Sequence, residues 1–263
     1  MKKNAKIRGG RQPFKIKRSH WTEGLFTFSL VSDFTLLLQK MVENFYQWGS
    51  FCIQKQGQFS VLLSGGRTPQ KFYEALARTP PPFSWKSCRF FWGDERAVPL
   101  DHPDSNFQMA YQAWLCYLPE ECYFPVQTSA VDPVLTAQRY EALLKTTLDS
   151  PNTLPSLDLV LLGIGNDGHI ASLFPETKAL YEEKALYVYH EVPQLQTFRF
   201  TATFPLLNAS KQTWILATGA SKAPLLTELW NNAPLPPRYP VQKLKPSTLY
   251  WFLDTEAVPF LTS

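Results

Sequence analysis

An α/β protein, with βα units arranged around a largely parallel sheet, is the fold class that this 263-residue chain predicts. Three observations predict it. Short β-rich runs alternate with helix-like segments, the pattern of βα units around a parallel sheet. The runs are apolar along their whole length, as expected of strands covered on both faces. Several of them end in loops that carry glycine and charged residues, where an open α/β sheet places its ligands.

Taken in order, the chain opens on a basic segment, residues 1 to 18, with eight Lys or Arg and no acid. Its glycines, low apolar content and lack of periodicity read as a disordered tail, and residues 19 to 263 read as a single domain. "DFTLLLQKMVENFYQW" places Phe34, Leu37, Leu38, Met41 and Phe45 on one helical stripe. "FSVLL" (59 to 63) is the first predicted strand, and "SGGRTP" follows it, with Thr68 and Pro69 reading as N-cap and first residue of a helix. "CRFFW" (88 to 92) is a second strand, ending in Asp94, Glu95 and Arg96. Ser105 and Gln108 in "SNFQMAYQAWL" have capping-box spacing. "PVLTAQRYEALLKTTL" is an amphipathic helix candidate, and "LDLVLLG" (157 to 163) is a third strand, opening into "IGNDGHIASLFP". Strands are further predicted at "LYVYH" (186 to 190), "TWILATG" (213 to 219) and "TLYWFL" (248 to 253).

Composition narrows the function. The formal charge of +4 is concentrated in the tail, and without its eight cations the body has 18 basic against 22 acidic residues, a net −4. Such a body is not a nucleic-acid surface. Apolar runs fall well short of the roughly 18 residues that a membrane span needs, so a soluble, cytoplasmic protein is expected. Cys52, Cys88, Cys116 and Cys122 match no zinc or redox spacing and read as reduced, mostly buried thiols. His20, His102, His169 and His190 show no metal-ligand spacing.

Two loops carry phosphate-binding patterns. "GIGNDG" is a G-x-G-x-x-G match at Gly163, Gly165 and Gly168, with Glu191 at the end of the next predicted strand. A dinucleotide loop should open a full helix, but Pro175 stops the chain seven residues after the last glycine. Asp167 inside the loop would also repel a pyrophosphate. "SGGRTP" fits better: Ser64, Gly65 and Gly66 permit a tight turn, the helix start offers N–H groups, and Arg67 adds a guanidinium. The loop bearing Asp94 and Arg96 and the loop bearing Asp167 and His169 both follow strand ends, so the two are expected to converge on one crevice; Lys222 also follows a strand end and with Arg67 would give a phosphate pocket more than one cation.

Four ordered blocks, "SGGRTP", "WGDERAVP" with Ser105-Asn106, "LLGIGNDGHIASLFP", and "RFTATFPLLNASK" with "TGASKA", make the chain resemble the 6-phosphogluconolactonases, within the superfamily that includes glucosamine-6-phosphate deaminase. The resemblance implies a three-layer α/β/α fold with a largely parallel, Rossmann-like sheet, and hydrolysis of 6-phosphoglucono-1,5-lactone, the second step of the oxidative pentose phosphate pathway, without metal or organic cofactor. It implies a phosphate site at Ser64, Gly65, Gly66, Thr68, Arg199 and Lys222, a catalytic His169, and Arg96 at the reacting end. Asn166 looks like the deaminase branch and "ASLFP" like the lactonase branch. Deaminases carry a glutamate partner for the histidine where this chain has Phe174, and a phenyl ring cannot move a proton.

His169 is then the expected general base, since an unperturbed imidazole titrates close to neutral pH, and Asp167 or Asp94 is expected to orient it. The expected partner is a small sugar-phosphate lactone, bound by a monomer or small homo-oligomer. No G-x-S-x-G elbow supports a serine hydrolase. A deaminase-type isomerase and a non-catalytic sugar-phosphate sensor are the alternatives.

Overall fold

The computed structural model describes residues 14–16, 25–31, 33–130, 132–231 and 238–261. A mostly parallel sheet of seven strands runs through it, comprising β1 (Phe14–Ile16), β2 (Leu25–Val31), β3 (Phe59–Leu63), β4 (Cys88–Trp92), β6 (Leu159–Gly163), β9 (Gln212–Ala217) and β10 (Thr248–Asp254). Their order is β1-β2-β10-β9-β6-β3-β4, and only β1 runs antiparallel to its neighbour. The predicted parallel sheet is thus found, with strands β3 and β4 at the expected residues and β6, β9 and β10 shifted by two residues or fewer. Residues 1–18 were expected to lack structure; Phe14–Ile16 instead form an edge strand, and the rest of that tail lies outside the described residues.

Helices α1 (Phe34–Gln56), α2 (Arg67–Arg78), α3 (Asn106–Ala113), α4 (Pro133–Thr147), α5 (Phe204–Asn208) and α6 (Ala223–Asn231) flank the sheet. Helix α1 starts where Asp33 accepts the Thr35 N–H at 2.6 Å, and it stops at Gly57, whose φ of +80° suits a residue without Cβ. Its predicted stripe is the buried one: Leu37, Met41 and Phe45 are fully covered. Between helix and sheet lies an aromatic cluster in which Trp114 packs on Phe90 at 4.8 Å and on Phe45 at 6.3 Å. Truncating such a ring to alanine typically costs about 3–5 kcal/mol.

The sheet order fixes where a ligand can sit. From β3 the chain steps outward to β4, then returns to the other side of β3 to lay down β6, β9 and β10. The direction reverses between β3 and β6, and loops leaving their carboxyl ends diverge to leave a crevice.

A second sheet overhangs that crevice. It is antiparallel, ordered β5-β8-β7, from Asp94–Arg96, Thr197–Ala202 and Tyr187–Val192. Strand 186–190, expected in the parallel sheet, belongs here. Gly93 is the pivot between the sheets. Its N–H donates to Leu63 O in one and its carbonyl accepts from Ala202 N in the other, while an added Cβ would press on Leu63 O at 3.2 Å. All four cysteines are free, and Cys116 is the exposed one. Among the described residues no helix is long and apolar enough to cross a membrane.

Candidate active site

The turn after β3 is built around glycines. Gly65 passes so close to Asn106 that a Cβ would fall 1.9 Å from its Oδ1, and Gly66 has φ +102°. Helix α2 begins at Arg67 with Gly66 as N-cap, two residues before the expected Pro69 start; Thr68 does not cap it. Pro69 is tolerated because N–H groups in a first turn have no intrahelical partner. Freed from capping, the Thr68 hydroxyl pairs with Thr218 Oγ1 at 2.8 Å. Ser64 ties the turn to the next strand: its Oγ accepts the Gly163 N–H at 3.2 Å, and its backbone exchanges hydrogen bonds with the Tyr73 hydroxyl.

After β6 the chain makes a closed loop. Gly168 N–H donates to Gly165 O at 3.0 Å, and Gly165 N–H donates to His169 O at 2.9 Å. Gly168 needs its glycine twice over, for φ +75° and because a Cβ would meet Tyr239 at 2.6 Å. The loop delivers His169 with Nδ1 2.6 Å from Asp167 Oδ1. The same oxygen accepts the His169 backbone N–H at 3.2 Å. Phe174 stacks on the imidazole, centroids 3.9 Å apart and 27° between planes. Gly165 is equally close, since a Cβ there would lie 2.1 Å from Nδ1. Burial works to raise the Asp167 carboxyl, but hydrogen bonds from His169 and the charge of its ring outweigh it and hold the group below its ordinary range. An ionised carboxylate only accepts, so Nδ1 carries the proton of that hydrogen bond, and in the neutral imidazole Nε2 is the nitrogen that presents a lone pair.

The question of which aspartate meets the imidazole has a geometric answer. Asp167 does; Asp94 is buried and takes the Ser172 hydroxyl at 2.7 Å. Arg96 is fixed by Nη1 donating to Asp104 O at 2.6 Å, and its buried Nε has no partner among the described residues. Sequence reasoning missed two neighbours. Glu95, fully buried, accepts the N–H groups of Arg96, Asn106 and Phe107 at 2.7–2.8 Å and the Ser105 hydroxyl at 3.2 Å. Burial pushes its carboxyl up while those N–H groups pull it down. Asn106 is the second: its side-chain NH₂ donates to Asp94 O at 2.8 Å.

These loops converge on one cleft of about 710 Å³. Of the predicted site residues, Ser64, Gly65, Gly66, Arg67, Thr68, Asp94, Arg96, His169 and Lys222 all line it. Asp167 meets it through His169. Arg199 does not line it: it lies across the strands from Arg96, with Nη1 donating to Thr197 Oγ1 and Phe198 O, both at 2.9 Å. Burial and then the charge of Arg96 lower its affinity for a proton. Lys222 is lowered by burial and, in part, by the positive charge of Arg67. The cleft therefore has a cationic end at Arg67 and Lys222, a fixed arginine at Arg96, and an exposed imidazole edge. Among the described residues no group of three or more His, Cys, Asp or Glu is assembled to hold a metal ion.

Residues 32–251 match the family model described as glucosamine-6-phosphate isomerases/6-phosphogluconolactonase. A 6-phosphogluconolactonase from Synechocystis is 43% identical over 210 residues, covering 78% of this chain and 85% of the relative. One from Nostoc is 37% identical over 235 residues, covering 88% and 96%. The structure of 6-phosphogluconolactonase from Trypanosoma cruzi superposes with a TM-score of 0.77 at 27% identity, covering 90% of this chain and 97% of that one. A monomeric glucosamine-6-phosphate deaminase, 21% identical and covering 88% and 98%, shares the fold with a TM-score of 0.72.

Proposed function

This chain belongs to the glucosamine-6-phosphate isomerase/6-phosphogluconolactonase family, and from that premise we propose that it hydrolyses 6-phospho-D-glucono-1,5-lactone to 6-phosphogluconate, with His169 as general base. The observation that carries the reading is the His169 ring, held by Asp167 at 2.6 Å and stacked on Phe174. It stands in a cleft lined by the glycine turn from Ser64 to Thr68 and by Arg96.

In this reading the phosphoryl group lies against the turn from Ser64 to Thr68, where the α2 N–H groups, Arg67 and Lys222 meet a dianion. Arg199 enters only as a second positive charge behind Arg96, because its Nη1 is engaged with Thr197 and Phe198. His169 Nε2 takes a proton from water as the water oxygen attacks C1. The carbonyl electrons move to its oxygen, and the oxyanion is met by Arg96, whose Nε–H has no acceptor among the described residues. Collapse breaks the bond from C1 to the ring oxygen, and Nε2 returns its proton to that oxygen as it leaves. The acid formed ionises to carboxylate. Positioned proton transfer of this kind contributes about 10²- to 10⁴-fold. Asp167 keeps the ring in the tautomer that has Nε2 free and stabilises the imidazolium between the two proton transfers.

The deaminase alternative is disfavoured at one position. Phe174 occupies the contact to His169 where that chemistry wants a carboxylate, and it is buried there. The sensor alternative leaves the paired acid and base without a purpose.

The test generates the lactone in situ and follows acid release with the protein, without it, and with His169→Ala, while ammonia release from glucosamine 6-phosphate is assayed in parallel. Acid release above the spontaneous rate, lost in the variant, with no ammonia, is the expected result. Ammonia release would move the chain to the deaminase branch, and silence in both assays with retained sugar-phosphate binding would favour the sensor.

A further inference from the structure

Asn166 and Asp167 are the two central residues of a single four-residue turn, closed by the Gly168 N–H to Gly165 O bond at 3.0 Å. Their side chains part. Asp167 goes to the His169 ring, and Asn166 Oδ1 accepts from Lys222 Nζ at 2.8 Å. Lys222 lines the cleft from the segment after β9, and β9 pairs with β6, so this bond ties together two neighbouring loops at the carboxyl edge of the sheet. The turn thus grips the imidazole with one hand and an ammonium with the other.

The chemical identity of residue 166 matters at that contact. An amide oxygen orients the ammonium and leaves its full positive charge available to an incoming anion. A carboxylate at the same place would orient it equally well and neutralise it. We propose that Asn166 is a positioning residue for phosphoryl recognition: it holds Lys222 at the cleft by a neutral hydrogen bond, so that the charge is presented to the substrate phosphate. This deepens the lactonase reading and rests on it for the name of the substrate, though the geometry itself calls only for a phosphoryl anion.

The experiment compares the wild type with Asn166→Asp and Asn166→Ala on the in situ lactone and on gluconolactone lacking the phosphate, and titrates each protein with inorganic phosphate by calorimetry. Asn166→Asp should raise KM for the phosphorylated lactone about fivefold, the upper range of a partly exposed ion pair, with a matching loss of phosphate affinity. Asn166→Ala should raise it by about twofold. In both, kcat should fall less than KM rises, and the unphosphorylated lactone should be much less affected than the phosphorylated one. An unchanged KM and phosphate affinity in Asn166→Asp would overturn the proposal. So would equal losses on both lactones, the sign of a loop that has simply shifted His169. If the wild type hydrolyses neither lactone, the lactonase reading fails alone, and the phosphate titration still decides the role of Asn166.

Discussion

Two aspartates bracket strand β6 and do opposite things. Asp158, just before the strand, is fully buried and accepts from Ser60 N at 2.8 Å, Ser60 Oγ at 2.9 Å, Gln56 Nε2 at 2.8 Å and Lys211 Nζ at 2.7 Å. Partners from α1, β3 and the start of β9 fill its coordination, so it clamps the amino edge of the sheet. Asp167, four residues past the strand, is exposed and among the described residues its side chain accepts hydrogen bonds from His169 alone. Saturation by several elements marks a carboxylate that holds structure, and a single partner at a cleft marks one that tunes chemistry. Both lie on the same chain segment, so the division follows from which end of a parallel sheet a loop leaves.

Substitutions can break that division, and the largest effect belongs to the carboxyl edge. His169→Ala should lower kcat for lactone hydrolysis by about 10²- to 10⁴-fold with little change in Tm, because the ring is partly exposed and carries no wider network. Asp158→Ala should cost about 3 kcal/mol of stability, read by urea denaturation, since it leaves the buried Ser60 N–H and hydroxyl without their acceptor; kcat per folded molecule should be unchanged. A catalytic loss there with stability intact would show that the two edges are not separate. Asp167→Asn should come third, lowering kcat by about 10- to 100-fold, at or below the lower end of what positioned proton transfer contributes, with KM affected less.

The same contrast explains what could be read from the chain. Strands buried on both faces announce themselves, so β3, β4, β6, β9 and β10 were legible, and so was the convergence of their loops. Strand β2, "LFTFSLV", was not assigned because its mixed polarity is decided by pairing with β10 more than 200 residues away. Strand β5 is three charged residues, Asp94–Arg96, that read as a loop until β8 pairs with them. Side chains alternate along a strand: Asp94 and Arg96 turn to the cleft, and Glu95 turns into the protein to organise the start of α3. That alternation was the signal that could have found Glu95. Arg199 was assigned to the phosphate with Lys222 by family pattern, and its register opposite Arg96 is a tertiary fact.

The smallest predicted effect sharpens the comparison by pH. In the folded protein the Asp167 carboxyl lies below its ordinary value of 3.8, with burial opposing and the His169 hydrogen bonds and charge prevailing. A depressed acid stabilises the fold when it is ionised, so its contribution is present above 3.8 and is lost as pH falls through the lower, folded value. Asp167→Asn lacks the contribution at every pH. The stability difference between wild type and Asp167→Asn, from urea denaturation across a pH series, should therefore close toward zero as pH falls through the carboxylate range and below it. The difference should be small throughout, because the group is exposed enough for water to screen it. A gap that widened on acidification would mean that the carboxyl is protonated more readily in the folded state, and that Asp167 is not held ionised against the His169 ring.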